Sequence, residues 1–407
     1  MPKTVVTKSS KKKPVLTKAQ ENAAIKRVLA LMAIPGKSGD ELGVADFIRG
    51  ELLAAGAKPS QIVTDTSHKK TPVKGNTGNL IYHMPGTIKA PRRMLMAHMD
   101  TVPICVGSKP TRKGNMVRSA DKKTGLGADD RAGVATTLTT ATEILRRNLP
   151  RPPLTFLWTI QEEIGLHGAR LLNLAKLKKP QMAFNWDGGA PHKLTVGATG
   201  GFRMEIKVHG KASHAGNAPA AGVSAIAIAS LAIADLYENG WHGHIQKGKK
   251  LGTSNVGIFE GGAATNVVTD LVTLRAEARS HDPVFRKKIV AEIERAFVRA
   301  AKNVRSTDGD VGSVEFDGRL DYESFALPTN SPGVKVAQEA VAEFGLEAQL
   351  AIANGGLDAN WLSARGIPTV SLGCGQKNQH MVTEALDLDE YCMACRIALF
   401  LATAGEL

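Results

Sequence analysis

The sequence predicts an α/β fold interrupted by a smaller α+β domain, and three observations carry that prediction. Short apolar runs of buried-strand type alternate with helix-period runs over the first half of the chain. After Gly197 the order changes to strand, helix, strand, strand, helix, strand, and beyond Pro328 the first texture resumes. The 407 residues are also too many for one ordinary core. The boundaries that follow are a basic arm at 1–18, a discontinuous first domain at 19–197 and 327–407, and an inserted domain at 198–326.

From Lys18 to Leu53 the apolar positions Ile25, Val28, Leu29 and Met32, then Val44, Phe47, Ile48 and Leu52, recur at helical spacing. Pro35 and Gly36 break that run into two helices. Buried strands are expected at Asn79 to Tyr82, Arg93 to Ala97, Leu154 to Trp158 and Met182 to Trp186, with a helix from Ala132 to Arg147 among them. In the insert, Phe202 to Val208 alternates like a half-buried strand and Ala220 to Tyr237 reads as a helix. Strands follow at Thr253 to Phe259 and Val267 to Ala278, then a helix from Pro283 to Lys302 and a strand from Gly312 to Asp317. That order is βαββαβ, the ferredoxin-like arrangement. A helix from Gly333 to Phe344, a strand from Ile367 to Leu372 and a helix from Leu388 to Ala402 close the chain.

Hydrophobic residues at 43% and charged residues at 22% describe a globular protein rather than a disordered one. No apolar run approaches the roughly 20 residues needed to span a bilayer, so no membrane role is expected. Met1 to Lys18 holds Lys3, Lys8, Lys11, Lys12, Lys13 and Lys18 but no apolar stretch, which fits a disordered arm and not a secretory signal. The net charge of +14 owes six of its positive charges to that arm. Elsewhere basic and acidic residues are interspersed, which argues against a nucleic-acid partner. Cys105, Cys374, Cys392 and Cys395 are too few for a disulfide scaffold, and a reducing cytoplasmic setting is expected. Cys392 and Cys395 form a lone CxxC in a helix-like run; a zinc ribbon needs a second pair, so they read as packed helix residues.

The chemistry-bearing residues cluster where strands are expected to end. His98-Met99-Asp100 follows the run Met94-Leu95-Met96, and residues i and i+2 share one side of a strand. A ligating histidine usually donates its second ring N–H to a carboxylate, and Asp100 is placed to accept it. Alone, such a pair is most simply a satisfied surface contact. Gly127-Ala128-Asp129-Asp130-Arg131-Ala132-Gly133 opens a helix, where acidic residues serve equally as caps or as ligands. Glu162-Glu163 follows the strand ending near Trp158, Asp187 follows Trp186, and His380 lies in the loop after Leu372. Neighbouring carboxylates at a strand end can divide metal binding and proton transfer between them. In open α/β sheets, sites lie beyond the carboxyl ends of the strands. The mixed nitrogen and oxygen set, without thiolate, suits a catalytic Zn²⁺, Co²⁺ or Mn²⁺ centre.

Three of these blocks resemble the signature motifs of the M20 metallopeptidases, and most closely the peptidase T-like branch. They are His98-Met99-Asp100-Thr101-Val102-Pro103, Gly127-Ala128-Asp129-Asp130-Arg131-Ala132-Gly133 and Glu162-Glu163-Ile164-Gly165. The likeness continues in the same order through Asp187-Gly188-Gly189, Gly355-Gly356-Leu357-Asp358-Ala359-Asn360 and His380. It implies a mixed-sheet di-zinc hydrolase domain with an inserted ferredoxin-like dimerisation and lid domain, acting as a homodimer on short peptides. One zinc would be held by His98 and Asp187, the other by Glu163 and His380, with Asp129 bridging and Asp100 holding His98. The Asp129-Asp130 peptide bond would be cis. Glu162 would be general base and acid, taking a proton from the attacking water and passing it to the leaving amine.

By the same resemblance, His214 in Ser213-His214-Ala215-Gly216 would contact the tetrahedral intermediate, in dimeric relatives from the partner subunit. Asn266 would be the associated amide donor, and Arg279 would grip a substrate carboxylate. Bacterial peptidase T has an arginine immediately before its Gly-Gly-Thr-Asp block; here Asn354 stands there and Leu357 replaces the threonine. A neutral amide does not replace a bidentate cation, so the tripeptide length rule is not implied. The expected reaction is aminopeptidase action on tripeptides or similar short peptides. N-acyl-amino-acid hydrolysis or carboxypeptidase action on the same scaffold is the alternative, and a non-catalytic binding protein is a third reading that has no use for a positioned Glu162.

Overall fold

The computed structural model describes residues 15–403. Of the expected arm, 1–14 lie outside the described residues; Leu16 is buried, and Thr17 caps the helix that begins at Lys18. That cap is reciprocal: the Thr17 side chain accepts from the Gln20 N–H, and the Gln20 side chain accepts from the Thr17 N–H. The chain divides into two compact units. The first takes in the chain up to Val196, Leu327–Ala351 and the chain from Arg365 onward; the second is Gly197–Ala326 with Ile352–Ala364.

In the first unit the strands run side by side in the order Ile62–Thr64, Leu80–Met84, Leu154–Thr159, Arg93–His98, Met182–Trp186, Thr369–Leu372 and Lys193–Ala198. The four strands Leu154–Thr159, Arg93–His98, Met182–Trp186 and Thr369–Leu372 are mutually parallel, and the flanking pairs are antiparallel. Every residue of those four is buried, because both faces of a parallel sheet are covered. Helices Ala128–Arg147, Pro332–Ala342 and Leu388–Thr403 pack against it. Ala128–Arg147 is buried almost along its whole length, though rich in threonine. Thr136, Thr137 and Thr140 return their hydroxyls to carbonyls one turn back, and Thr137 also accepts the Trp158 indole N–H at 2.9 Å. Gly133 lets this helix touch the sheet: a Cβ there would stand 2.0 Å from the Trp186 carbonyl. Cys392 and Cys395 are buried, unpaired residues of the last helix.

The second unit is antiparallel. Its sheet runs Gly243–Lys247, Lys250–Gly261, Leu271–Ser280, Gly200–His209, Ser313–Tyr322, with helices Ala225–Glu238 and Pro283–Asn303 over one face. This is the expected βαββαβ order plus one edge strand, Gly243–Lys247. That strand carries a single buried apolar residue, Ile245, too faint a pattern to read in sequence. The helix expected from Ala220 begins instead at Ala225, where the Ser224 hydroxyl accepts from Ala227 N–H. The strand expected from Val267 to Ala278 is split: Val267–Val268 pairs with Ser213–His214, and Leu271–Ser280 enters the sheet. The second unit also takes Ile352–Ala364, which the sequence reading left in the first domain. The Asn360 amide donates to the carbonyls of Thr199 and Glu323, and the Ala353 carbonyl accepts from Thr199 N–H, which ties that segment in.

Candidate metal centre

Parallel pairing aligns the carboxyl ends of the buried strands: His98 stands opposite Thr159, and Met96 opposite Asn185. His98, Glu162, Glu163 and Asp187 therefore leave one edge of the sheet. Asp129 comes from the start of a helix, Ala128–Arg147, rather than from a strand end. Its backbone is extended, after Gly127 in the left-handed region, and its peptide bond to Asp130 is cis. His380 comes from the loop between the short strands Gln376–Lys377 and Ala385–Asp387.

These side chains form two groups that share Asp129: His98, Asp129 and Asp187, and Asp129, Glu163 and His380. Within each group the potential ligand atoms lie within 4.8 Å of one another. The two oxygens of Asp129 look in different directions, Oδ1 to His98 Nε2 at 3.2 Å and Oδ2 to His380 Nε2 at 3.4 Å. His380 Nε2 also lies 2.9 Å from Glu163 Oε2. Asp130 is not part of either group. Its buried carboxylate caps the helix through Gly133 N–H at 3.1 Å, and it accepts from His98 N–H and the Gln376 amide.

The charges explain why these residues suit a cation. Burial alone would lower the His98 pKa, but hydrogen bonds to Asp100 and Asp129, with Glu162 and Asp130 nearby, raise it well above the usual imidazole range. Hydrogen bonds to Asp129 and Glu163 lift His380 to about 10. Burial works against the Asp129 carboxylate, yet the two histidines hold it well below the ordinary value; burial pushes Glu163 up. With neutral imidazoles the carboxylates leave the cluster net negative, and that excess negative charge is what raises the two histidine pKa values. A divalent ion in each group would offset that charge through donors of the right chemistry.

Asp100 is fully buried and does two things. Its carbonyl lies 3.1 Å and its carboxylate 3.4 Å from His98 Nδ1, the shorter contact being the better hydrogen bond. The carboxylate also accepts from the backbone N–H of Glu162 at 2.9 Å and of Glu163 at 3.2 Å. One residue therefore orients a histidine, through its carbonyl and carboxylate, and the turn that bears both glutamates, through its carboxylate. Burial would raise its pKa, but the contacts to His98 and Ser38 and the Glu162 N–H keep it lowered. Ser38 donates to it at 2.6 Å, and buried Glu41 accepts from Gln161 N–H at 3.0 Å. Sequence reasoning missed Ser38 and Glu41, which sit after Pro35-Gly36 with no motif to mark them.

The other candidates lie in the second unit. His214 and Asn266 are brought together: His214 pairs with Val267, and the Asn266 carbonyl accepts from Ala215 N–H. His214 Nδ1 accepts from the N–H groups of Gly216 and Asn217, which leaves its exposed Nε2 as the protonated nitrogen when the ring is neutral. Arg279 is elsewhere. It ends the strand Leu271–Ser280, forks onto Glu277 with two contacts of 2.9 Å, and donates to the Asn354 carbonyl at 3.3 Å. Leu271 and Arg279 are separated by roughly 27 Å of extended strand.

The family model described as peptidase family M20/M25/M40 matches residues 94–404, which span every block of the first-unit site. The chain belongs to this family and is a metallopeptidase. The structure of a tripeptidase from Staphylococcus aureus superposes with a TM-score of 0.85 at 32% identity, covering 94% of this chain and 98% of that one. The aminopeptidase PepT of Bacillus cereus gives a TM-score of 0.82 at 29% identity, covering 94% and 99%. Carboxypeptidase G2 of a Pseudomonas species is 29% identical over 87% of this chain and 82% of its own length. The mixed-sheet fold and the peptidase T-like resemblance hold. Among the described residues, no helix is long and apolar enough to cross a membrane.

Proposed function

We propose that this chain is a two-metal aminopeptidase acting on tripeptides or similarly short peptides. Asp129 carries the reading, because each of its oxygens faces a different histidine at the meeting point of two ligand groups. His98 and Asp187 would hold one zinc, Glu163 and His380 the other, and Asp129 both. Bound there, the two ions would polarise the peptide carbonyl and make water acidic enough to attack at neutral pH. Glu162, whose N–H is fixed by Asp100 and whose side chain is almost buried, takes the proton from the attacking water. It then delivers that proton to the departing nitrogen as the C–N bond breaks, leaving a carboxylic acid and an amine that exchange the second water proton to become carboxylate and ammonium at neutral pH. Asp100 keeps His98 and the Glu162 turn in place. His214 and Asn266 would donate to the oxyanion of the tetrahedral state, and Arg279 would bind a substrate carboxylate.

A homodimer is part of this reading. A tripeptide spans at most about 11 Å. His214 and Asn266 lie toward one end of the strand and Arg279 at the other, so one copy of the second unit does not serve a single short substrate with all three. A partner subunit would supply His214. The four cysteines are buried and unpaired, in keeping with a cytoplasmic enzyme.

The test is turnover by the zinc-reconstituted protein on a free tripeptide, a free dipeptide and an N-acetylated amino acid. Release of the N-terminal residue from the tripeptide, abolished by a chelator, is the expected result. Turnover of the acetylated compound alone would transfer the protein to the acyl-amino-acid hydrolases. Asn354, which lies against Arg279 where peptidase T has an arginine, is the observation that keeps that second reading in the panel.

A further inference from the structure

Four residues after His380, Glu384 stands where the Ala385–Asp387 strand begins, and it is 1% exposed. Its own N–H donates to the Met381 carbonyl at 3.0 Å, closing the turn that carries His380. Its carboxylate reaches across to the loop before Asp129. Oε2 accepts from Leu126 N–H at 2.8 Å and Gly127 N–H at 2.7 Å, and Oε1 accepts from Asp129 N–H at 3.0 Å. The Cys105 thiol donates to Oε2 at 3.4 Å. Charge-assisted bonds of this kind are roughly twice as strong as neutral ones, and three backbone donors leave the loop little freedom.

We propose that Glu384 is a positioning residue that locks the Asp129 loop to the His380 turn, and so sets the affinity of the centre for its metal ions. The loop it grips has no helical hydrogen bonds of its own at that point: Gly127 has a left-handed φ of 77°, and Asp129 is extended. Without an acceptor, three buried N–H groups beside the centre would be unpaired, and the shared ligand would lose its orientation. Outer partners of metal ligands typically change affinity 10–100-fold.

The inference rests on the metal-ligand reading above, so its test carries a control for that reading. The full chain and its Glu384→Gln, Glu384→Ala and Asp129→Ala variants are stripped of metal and titrated with Zn²⁺ against a competing chelator. The thermal midpoint of each metal-free protein is recorded alongside. Glu384→Gln keeps the volume but turns an NH₂ toward at least one of the N–H donors. Its expected Zn²⁺ affinity is 10–100-fold weaker, with kcat largely restored at saturating Zn²⁺. A folded Glu384→Gln protein with wild-type Zn²⁺ affinity overturns the proposal, and it decides the matter even where Glu384→Ala fails to fold. Loss of affinity in Asp129→Ala but not in Glu384→Gln defeats this inference alone. Unchanged affinity in both defeats the ligand reading and this inference with it.

Discussion

The two units treat their functional candidates in opposite ways. In the first, side chains separated by nearly 300 residues converge on one point; in the second, His214 and Asn266 meet while Arg279, on the strand that follows, lies far away. Strand direction accounts for the difference. Parallel strands deliver all their carboxyl ends to one edge, so His98, Glu163 and Asp187 need only short loops to meet. An antiparallel sheet sends consecutive strand ends to opposite edges, so His214 and Asn266 lie toward one edge and Arg279 toward the other.

The sharpest way to break this comparison is to remove the proton carrier from the convergent site. Glu162→Gln is expected to keep its metal content and to lose turnover by roughly 10²–10⁴-fold. Full turnover would remove Glu162 from the reaction. Next comes His214→Ala, expected to lower kcat by about 10²-fold with unchanged metal binding. Mixing it with Glu162→Gln sharpens the contrast between the units. Subunit exchange in a dimer that shares His214 restores one intact site in mixed pairs, so activity should rise toward roughly a quarter of wild type. No recovery after verified exchange would mean that each subunit uses its own histidine.

Arg279→Ala should act on KM, raising it about 10–100-fold for substrates with a free carboxylate and little for amidated ones. Equal effects on both would detach Arg279 from the carboxylate. The last prediction concerns pH. His380 in the metal-free protein titrates at about 10, above its ordinary 6.5, so zinc must displace its proton. Zinc affinity should therefore climb about tenfold per pH unit between pH 7 and 9, less in His380→Gln. The same ion pair stabilises the metal-free fold fully below pH 6.5, and that contribution fades as pH rises through about 10. A metal-free thermal midpoint that rises across that window, more steeply than in His380→Gln, would contradict the assignment.

The convergence of the first group was visible in the residue pattern itself, whereas His214, Asn266 and Arg279 were expected only from the family resemblance. His98, Glu163 and Asp187 follow runs buried on both faces, which a sequence shows as unbroken apolar stretches. Asp129 and Asp130 were visible as a pair, but which of them caps the helix depended on a backbone conformation that periodicity does not encode. Ser38, Glu41 and Glu384 act through contacts with backbone N–H groups or other carboxylates distant in sequence, and so leave no local pattern. The strand Gly243–Lys247 and the assignment of Ile352–Ala364 to the second unit escaped notice because each is held mostly by backbone pairing or a single amide.

The most direct test of the account is a crystal structure of the zinc-loaded protein with anomalous data at the zinc edge. Two ions are expected, one touching His98 and Asp187, the other touching Glu163 and His380, with one oxygen of Asp129 on each. A single ion, or two that do not share Asp129, would contradict it.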